Sequence, residues 1–291
     1  MEIDGALSEI FAVLDGSGNI DVERTEKYVK FLIKNGIKGL FIGGLAAETL
    51  SFDENERINW LKTVKRASGN TPIIFQIIPS NMNSITKEIK NAEENGADVI
   101  SVSQPYPMPL SNNELMDYFS FICKNTKLPV MIYNEPTIGK PLEITVLSEI
   151  IKKNNNIKFY KDSTHNLIDL HTFLMQNTGI SVLAGSDGLI FDIINAGGKG
   201  VISLVANPFP KLIADEVEAL GSNKLDKALE LQNLIIKIRS ILKMGGLTAG
   251  YRYAMKITGM DVGEPIFPYA KIDENSKIKI RNGLTSLGLI Q

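Results

Sequence analysis

Short apolar runs alternate with amphipathic segments along most of the chain, and this alternation constrains the fold more than any other feature. The amphipathic segments carry apolar residues at helical spacing, for example over residues 146–151. Eight apolar runs have the length and the flanking residues of strands: Ile10–Leu14, Gly39–Gly43, Pro72–Ile77, Asp98–Ser103, Pro129–Asn134, Ile157–Lys161, Ser181–Gly185 and Gly200–Leu204. Strands that alternate with helices must be parallel, because only a crossover connection returns the chain to the same end of a sheet.

Eight consecutive strand–helix units predict a closed (β/α)8 barrel, the TIM barrel of the α/β class. A doubly wound sheet is the alternative, but no strand is followed by a glycine loop of dinucleotide-binding type. After residue 207 the pattern becomes purely helical. It predicts a barrel over residues 1–207 and a C-terminal helical extension over residues 208–291, packed on the barrel. The segments Ser51–Glu54 and Ser111–Glu114 fit the capping box that opens a helix.

Charge and composition exclude several classes of function. The chain has 291 residues with 31 basic and 33 acidic side chains, for a formal net charge of −2. Because like charges do not cluster, neither nucleic acid nor an anionic membrane surface is expected as a partner. The single cysteine, Cys123, cannot form an internal disulfide, and two histidines are few for a metal centre. We therefore expect no structural metal. Since no signal peptide or membrane-spanning run is visible, we also expect a cytoplasmic protein.

The chemistry of such barrels gathers at the carboxyl ends of the strands, and the sixth predicted strand ends at Lys161. Side chains alternate along a strand, so Ile157, Phe159 and Lys161 share one face and this lysine is the last inward residue. Apolar surroundings disfavour the charged form of an amine, and a neutral amine is a nucleophile towards a keto group. An ordinary surface lysine at a strand end is the alternative.

Tyr133 ends the fifth predicted strand as Lys161 ends the sixth, and the ends of adjacent parallel strands lie within reach of each other. A phenol beside an amine is suited to relay protons during carbinolamine formation and carbon–carbon cleavage. An aromatic side chain that caps the barrel core is the alternative. Glu48 opens a helical segment, a position more typical of a structural contact with the helix dipole than of an acid or base.

Four motifs in order carry a family resemblance: Gly44-x-x-x-Glu48, Tyr133-Asn134-Glu135-Pro136, a lone Lys161, and Gly-Gly-Lys-Gly-Val-Ile-Ser over residues 197–203. In this order and spacing they resemble the dihydrodipicolinate synthase / N-acetylneuraminate lyase family of class I aldolases, over nearly the whole chain. The resemblance implies a homotetrameric (β/α)8 barrel. It also implies that Lys161 forms a Schiff base with pyruvate or another 2-keto acid while Tyr133 shuttles the proton. A protonated imine is itself the electron sink, so neither a metal nor an organic cofactor is expected.

The chain departs from this family in the loop after strand two, where two adjacent hydroxyl residues usually bind the pyruvate carboxylate and relay protons. Leu45 and Ala46 occupy these positions, so carboxylate binding would rest on backbone N–H groups around Gly44. The synthase branch carries an arginine after its Tyr-Asn-x-Pro motif, whereas this segment contains Ile138 and no arginine. The second tyrosine usual after strand four is also missing, because Tyr106 is followed by proline.

The Lys161-Asp162-Ser163 segment resembles the Lys-Asp-Thr of archaeal-type 2-keto-3-deoxygluconate aldolases more than the Lys-Glu-Ala of the synthases. In that branch a hydroxyl after the lysine and an acidic residue after strand seven contact the sugar, which implies these roles for Ser163 and Asp187. The resemblance also implies substrate contacts at Gly185 and Ile202. We therefore expect a cofactor-free aldolase that cleaves a 2-keto-3-deoxy sugar acid such as 2-keto-3-deoxygluconate to pyruvate and an aldehyde. A synthase-type condensation of pyruvate and a 2-keto-acid-binding protein that has lost turnover are the alternatives.

Overall fold

The computed structural model describes residues 3–78, 82–105, 110–176 and 178–291. Eight parallel strands close a barrel in chain order, and β8 pairs with β1 to complete it. The strands are β1 (Gly5–Glu9), β2 (Gly39–Ile42), β3 (Ile73–Ile77), β4 (Val99–Ser103), β5 (Val130–Asn134), β6 (Ile157–Asp162), β7 (Ser181–Ala184) and β8 (Gly200–Ser203). The (β/α)8 barrel predicted from the alternating pattern is therefore confirmed.

One helix follows each strand: α1 (Val22–Lys34), α2 (Glu54–Ser68), α3 (Met82–Glu94), α4 (Asn112–Lys124), α5 (Ile144–Lys153), α6 (Leu167–Met175), α7 (Ile190–Asn195) and α8 (Pro210–Gly221). The C-terminal helices α9 (Leu225–Lys243), α10 (Ala249–Ile257) and α11 (Glu274–Ser286) come after α8. The capping box predicted at Ser111 and Glu114 is confirmed. The one predicted at Ser51–Glu54 is wrong, because Ser51 ends a short 3-10 turn and Asp53 and Glu56 form the box instead. In the described ranges, no helix has the length and apolar character needed to cross a membrane.

The first strand lies five residues before its predicted position. The sequence pattern places it at Ile10–Leu14, whereas the structure has it at Gly5–Glu9. Residues 10–13 are fully buried, yet they follow the strand as loop backbone, and Leu14 forms only an isolated bridge with Ile20. A buried loop and a buried strand carry the same apolar signature, so hydrophobicity alone could not separate them. As a consequence, a glutamate stands at the carboxyl end of β1.

Apolar side chains fill the barrel interior as well as the layer between strands and helices. The interior cluster draws on every strand: Ile3, Leu7, Phe41, Ile74, Val99, Met131, Tyr133, Phe159, Leu183 and Ile202. Because alternate residues of a strand face the same side, Lys161 follows Phe159 on the inward face of β6, as the sequence predicts. The interior thus leads up to Lys161 at the carboxyl end of the barrel.

The C-terminal helices pack in two ways. Helix α8 lies against β1 and α7, in the position that completes the ring of barrel helices. Helices α9, α10 and α11 pack on one another, and α9 also covers α8. This packing favours counting α8 with the barrel. The division into residues 1–207 and 208–291 stays a prediction.

Candidate active site

Lys161 and Tyr133 lie side by side at the carboxyl end of the barrel. The register of β5 and β6 pairs the two residues directly, as expected for adjacent strand ends. The Nζ atom of Lys161 lies 4.0 Å from the centre of the Tyr133 ring and 4.2 Å from the centre of the Phe41 ring. Lys161 is 1% exposed and Tyr133 is 4% exposed. The two aromatic faces attract the ammonium group and hold it in one place.

Glu9, at the end of β1, is a third polar group beside Lys161 and Tyr133, and the sequence analysis does not predict it. Its Oε2 atom lies 2.9 Å from Lys161 Nζ, and the Lys161 and Glu9 side chains are 1% and 6% exposed. The other oxygen, Oε1, has no hydrogen-bond partner within the described residues. The pocket is therefore not the purely apolar one that the sequence predicts. An ammonium group held by a carboxylate must give up a proton before it can attack a carbonyl carbon.

The Tyr133 hydroxyl donates a hydrogen bond to Glu135 Oε2 over 2.7 Å. Glu135 is held in turn by Thr137, whose backbone N–H and hydroxyl both donate to Oε1. Burial, followed by the negative charges of Glu9 and Glu135, raises the pKa of Tyr133 well above its usual value, while the nearby Ser163 hydroxyl acts in the opposite direction. The phenol consequently keeps its proton at neutral pH, and the hydrogen bond directs this proton at Glu135.

Asn134, the second residue of the Tyr-Asn-x-Pro motif, ties together the segments around the site. Its side-chain nitrogen donates to the Tyr160 hydroxyl over 3.1 Å and to the Leu142 carbonyl over 3.3 Å. Its oxygen accepts from the Gln104 side chain over 2.8 Å and from the Leu142 N–H over 3.0 Å. These bonds fix the end of β5, which carries Tyr133.

The loop after β2 lies against the Glu9 carboxylate. A Cβ atom at Gly44 would lie 2.0 Å from Glu9 Oε1, so a side chain at Gly44 would displace this carboxylate. Leu45 and Ala46 are half-buried and begin a 3-10 turn over Leu45–Ala47. Neither side chain offers a hydroxyl to a substrate. The predicted binding of a substrate carboxylate by backbone N–H groups of this loop stays a prediction.

Ser163 and Gly185 lie together at the ends of β6 and β7. The Ser163 hydroxyl donates to the Gly185 carbonyl over 3.4 Å, and a Cβ at Gly185 would come within 2.1 Å of that hydroxyl. Ile202 belongs to the interior cluster below the site. The structure thus brings Ser163 and Gly185 to the same end of the barrel as Lys161, while the substrate contacts of all three residues stay predictions. Tyr106 lies outside the described residues.

Asp187 is buried and already bonded. Its carboxylate accepts from the Ser203 hydroxyl and from the Val205 N–H, and burial raises the pKa of this carboxyl group. The predicted contact between Asp187 and a sugar hydroxyl would require one of these bonds to be exchanged, and it stays a prediction. In the ranges that the structure describes, no cluster of three or more His, Cys, Asp and Glu side chains could hold a metal ion.

Glu48 has a structural role. Its two carboxylate oxygens accept from Arg252 over 3.2 and 3.0 Å, and Oε2 also accepts from the Ile266 N–H over 3.0 Å. The structural contact expected for Glu48 is therefore present, although its partner is an arginine of α10 and not a helix dipole. This ion pair joins the loop after β2 to the C-terminal helices, a contact that sequence spacing cannot identify.

A profile of the dihydrodipicolinate synthetase family matches residues 2–287 of the chain. The chain belongs to this family. Similar sequences include the 4-hydroxy-tetrahydrodipicolinate synthase of Methanococcus vannielii, 29% identical over 94% of this chain and 95% of that protein. The synthase of Bacillus velezensis is 26% identical over 99% of this chain and 100% of that protein. Among solved structures, YagE, a prophage protein of the family from E. coli K12 in complex with pyruvate, has a TM-score of 0.93 at 22% identity, covering 99% of this chain and 100% of that chain.

These similarities confirm the family and the fold predicted from the motifs. They identify the protein as a member of a family of pyruvate-dependent Schiff-base enzymes of the aldolase type. The similar sequences are named as synthases. Their names therefore give no support to the 2-keto-3-deoxygluconate branch or to a role in carbohydrate metabolism, both of which the Lys161-Asp162-Ser163 segment suggested.

Proposed function

We propose that this family member is a cofactor-free class I aldolase in which Lys161 forms a Schiff base with a 2-keto acid. The observation that carries the proposal is the direct pairing of Lys161 with Tyr133 at the carboxyl end of the barrel, with both side chains buried. In the imine, the protonated C=N group accepts the electrons of the C3–C4 bond as that bond breaks. Tyr133 takes the proton of the C4 hydroxyl while it passes its own proton to Glu135, to which it is hydrogen-bonded.

As substrate we propose a 2-keto-3-deoxy sugar acid, with 2-keto-3-deoxygluconate first among those to test. The Ser163 hydroxyl at the end of β6 supports this choice, because it can bond a sugar hydroxyl close to Lys161. A second candidate, the condensation of pyruvate, is favoured by the names of the similar synthases. Against it, Ile138 lies in the segment where the synthase branch carries its arginine.

Two assays separate the candidates. The first measures pyruvate release from a panel of 2-keto-3-deoxy acids, and the second measures pyruvate consumption with the aldehyde co-substrate of the synthases. Lys161→Met serves as the control, because it has no amine at this position. Pyruvate release that depends on Lys161 supports the aldolase, and consumption alone supports the synthase. An imine without turnover would identify a 2-keto-acid-binding protein, whereas the absence of any imine would refute the proposal.

We also propose a homotetramer, as the resemblance implies, in the cytoplasm. Helix α9 exposes an apolar row formed by Leu225, Leu229 and Ile236, which are 39%, 48% and 42% exposed in the single chain. Exposed apolar rows of this kind are typical of surfaces that pack against another subunit. Light scattering of the purified protein tests the proposal: a mass of four chains supports it, and a monomer refutes it.

A further inference from the structure

We infer that Glu9 is the acid/base residue that exchanges protons with Lys161 while the imine forms. The inference rests on the proposed Schiff-base function. Glu9 Oε2 lies 2.9 Å from Lys161 Nζ, the atom that forms the new bond. Glu9 Oε1 is buried without a hydrogen-bond partner in the described part of the chain and lies against Gly44. One oxygen thus contacts the reacting amine, and the other is free to bond the oxygen of an incoming carbonyl group.

The position of Glu9 explains how the chain can work without the family's loop hydroxyls. Leu45 and Ala46 stand where those hydroxyls occur, and the Glu9 carboxylate reaches the same loop from β1, packed against the backbone of Gly44. A side chain at Gly44 would collide with the carboxylate. The loop after β2 therefore leaves room for a proton-exchanging group that it does not itself supply.

Other charged groups around the site are engaged elsewhere. Two further buried ion pairs flank the loop after β2, Arg57 with Glu88 and Arg252 with Glu48. Their carboxylates are bonded to guanidinium groups and make no contact with Lys161. Tyr133 packs its ring against Lys161 and directs its hydroxyl to Glu135. Within the described residues, Glu9 is thus the carboxylate that contacts the amine.

The reaction balances with Glu9 as the only added participant. Glu9 takes one proton from the Lys161 ammonium group, and the free amine forms a C–N bond with the carbonyl carbon. Glu9 then returns this proton to the carbonyl oxygen and removes a second proton from the nitrogen, which yields the carbinolamine. It gives that second proton to the hydroxyl group, the C–O bond breaks, and water leaves the protonated imine. Glu9 ends as the carboxylate, which is the counterion of the imine.

The test compares the wild type with Glu9→Gln, which keeps the shape of the side chain but cannot exchange a proton in this way. Pyruvate is the probe, and the rate of imine formation is measured by quenching with borohydride at increasing times, followed by mass spectrometry. We expect Glu9→Gln to lower this rate by about 10²-fold or more, the usual effect of a positioned acid/base. Glu143→Gln is the control, because Glu143 forms an exposed ion pair with Lys140. Its rate should match the wild type.

A second variant keeps the test decisive if Glu9→Gln does not fold. In Glu9→Ala, added formate should restore part of the rate, because it can occupy the vacated space as a carboxylate, whereas formamide should not. The role of Glu9 would be overturned if Glu9→Gln formed the imine as fast as the wild type or faster, or if formate and formamide had equal effects on Glu9→Ala. Either result would leave the proposed Schiff-base function standing. A wild type that forms no imine with pyruvate or any other 2-keto acid would overturn the proposed function as well.

Discussion

The ion pair between Glu48 and Arg252 should hold the loop after β2 to the C-terminal helices. Arg252 donates to both oxygens of Glu48, and its Nη1 atom donates to the carbonyls of Ala12 and Val262 over 3.3 and 3.0 Å. The Arg252 and Glu48 side chains are 2% and 0% exposed. Arg252→Met preserves much of the buried volume but leaves the Glu48 carboxylate without its cation. Removing one partner of a buried ion pair lowers the free energy of unfolding by about 3–5 kcal/mol.

Urea titration of Arg252→Met, Glu48→Gln and the double variant measures this effect. If the ion pair is the main contact that holds the loop, the effects of the two substitutions should be coupled. The free energy of unfolding of the double variant should then fall by about 1–3 kcal/mol less than the sum of the two single falls. Lys211→Met is the control, because Lys211 forms an exposed ion pair with Asp215 and its removal should change the unfolding midpoint little. A loss below about 1 kcal/mol in Arg252→Met, or strictly additive losses, would show that other contacts hold the loop.

Further expectations concern turnover, binding and pH. Tyr133→Phe should fold normally and lower kcat by about 10²–10⁴-fold, and a kcat within a few-fold of the wild type would mean that the proton travels by another route. The double substitution Leu45→Thr and Ala46→Thr restores the family's two loop hydroxyls. It should tighten pyruvate binding by about 1 kcal/mol per new hydrogen bond and raise kcat. Unchanged pyruvate binding with slower cleavage of ketodeoxygluconate would contradict the substrate assignment. Burial, followed by the negative charge of Asp187, raises the pKa of Glu216 from 4.5 to about 8. Between pH 4.5 and about 8 the folded protein therefore keeps a proton on Glu216 that the unfolded chain has lost. As the pH rises through this window, the contribution of Glu216 to the free energy of unfolding falls by about 1.4 kcal/mol per pH unit. Urea titrations across this pH range should show that the free energy of unfolding falls less in Glu216→Gln than in the wild type or in the exposed control Glu218→Gln. Equal falls in all three proteins would refute the raised pKa of Glu216.

The barrel could be predicted because each strand–helix unit carries its own local pattern. Seven of the eight predicted strands overlap the observed ones, and the pairing of Tyr133 with Lys161 follows from two adjacent strand ends. The sequence pattern misplaces the first strand because the apolar run Ile10–Leu14, which follows the strand, is a buried loop. That error concealed Glu9, which shares the inward face of β1 with Leu7.

Contacts between distant segments could not be predicted from spacing. Arg252 reaches Glu48 across 204 residues, and Glu9 reaches Lys161 across 152. Either glutamate could have bonded water or a local backbone group, and local sequence does not distinguish these outcomes. Glu135 is a nearer case, since it follows Tyr133 by two residues, but its bond to the phenol depends on how the loop after β5 turns. The family's motifs identify the lysine and the tyrosine, whereas the two glutamates that contact them occupy positions that these motifs leave unspecified.

Trapping of the imine at Lys161 tests the central claim most directly. The protein is incubated with pyruvate, reduced with borohydride, digested and sequenced by mass spectrometry. The account predicts a stable reduced adduct on the peptide that contains Lys161, and its absence in Lys161→Met. An adduct on Lys158 or another lysine, with Lys161 unmodified, would contradict the account.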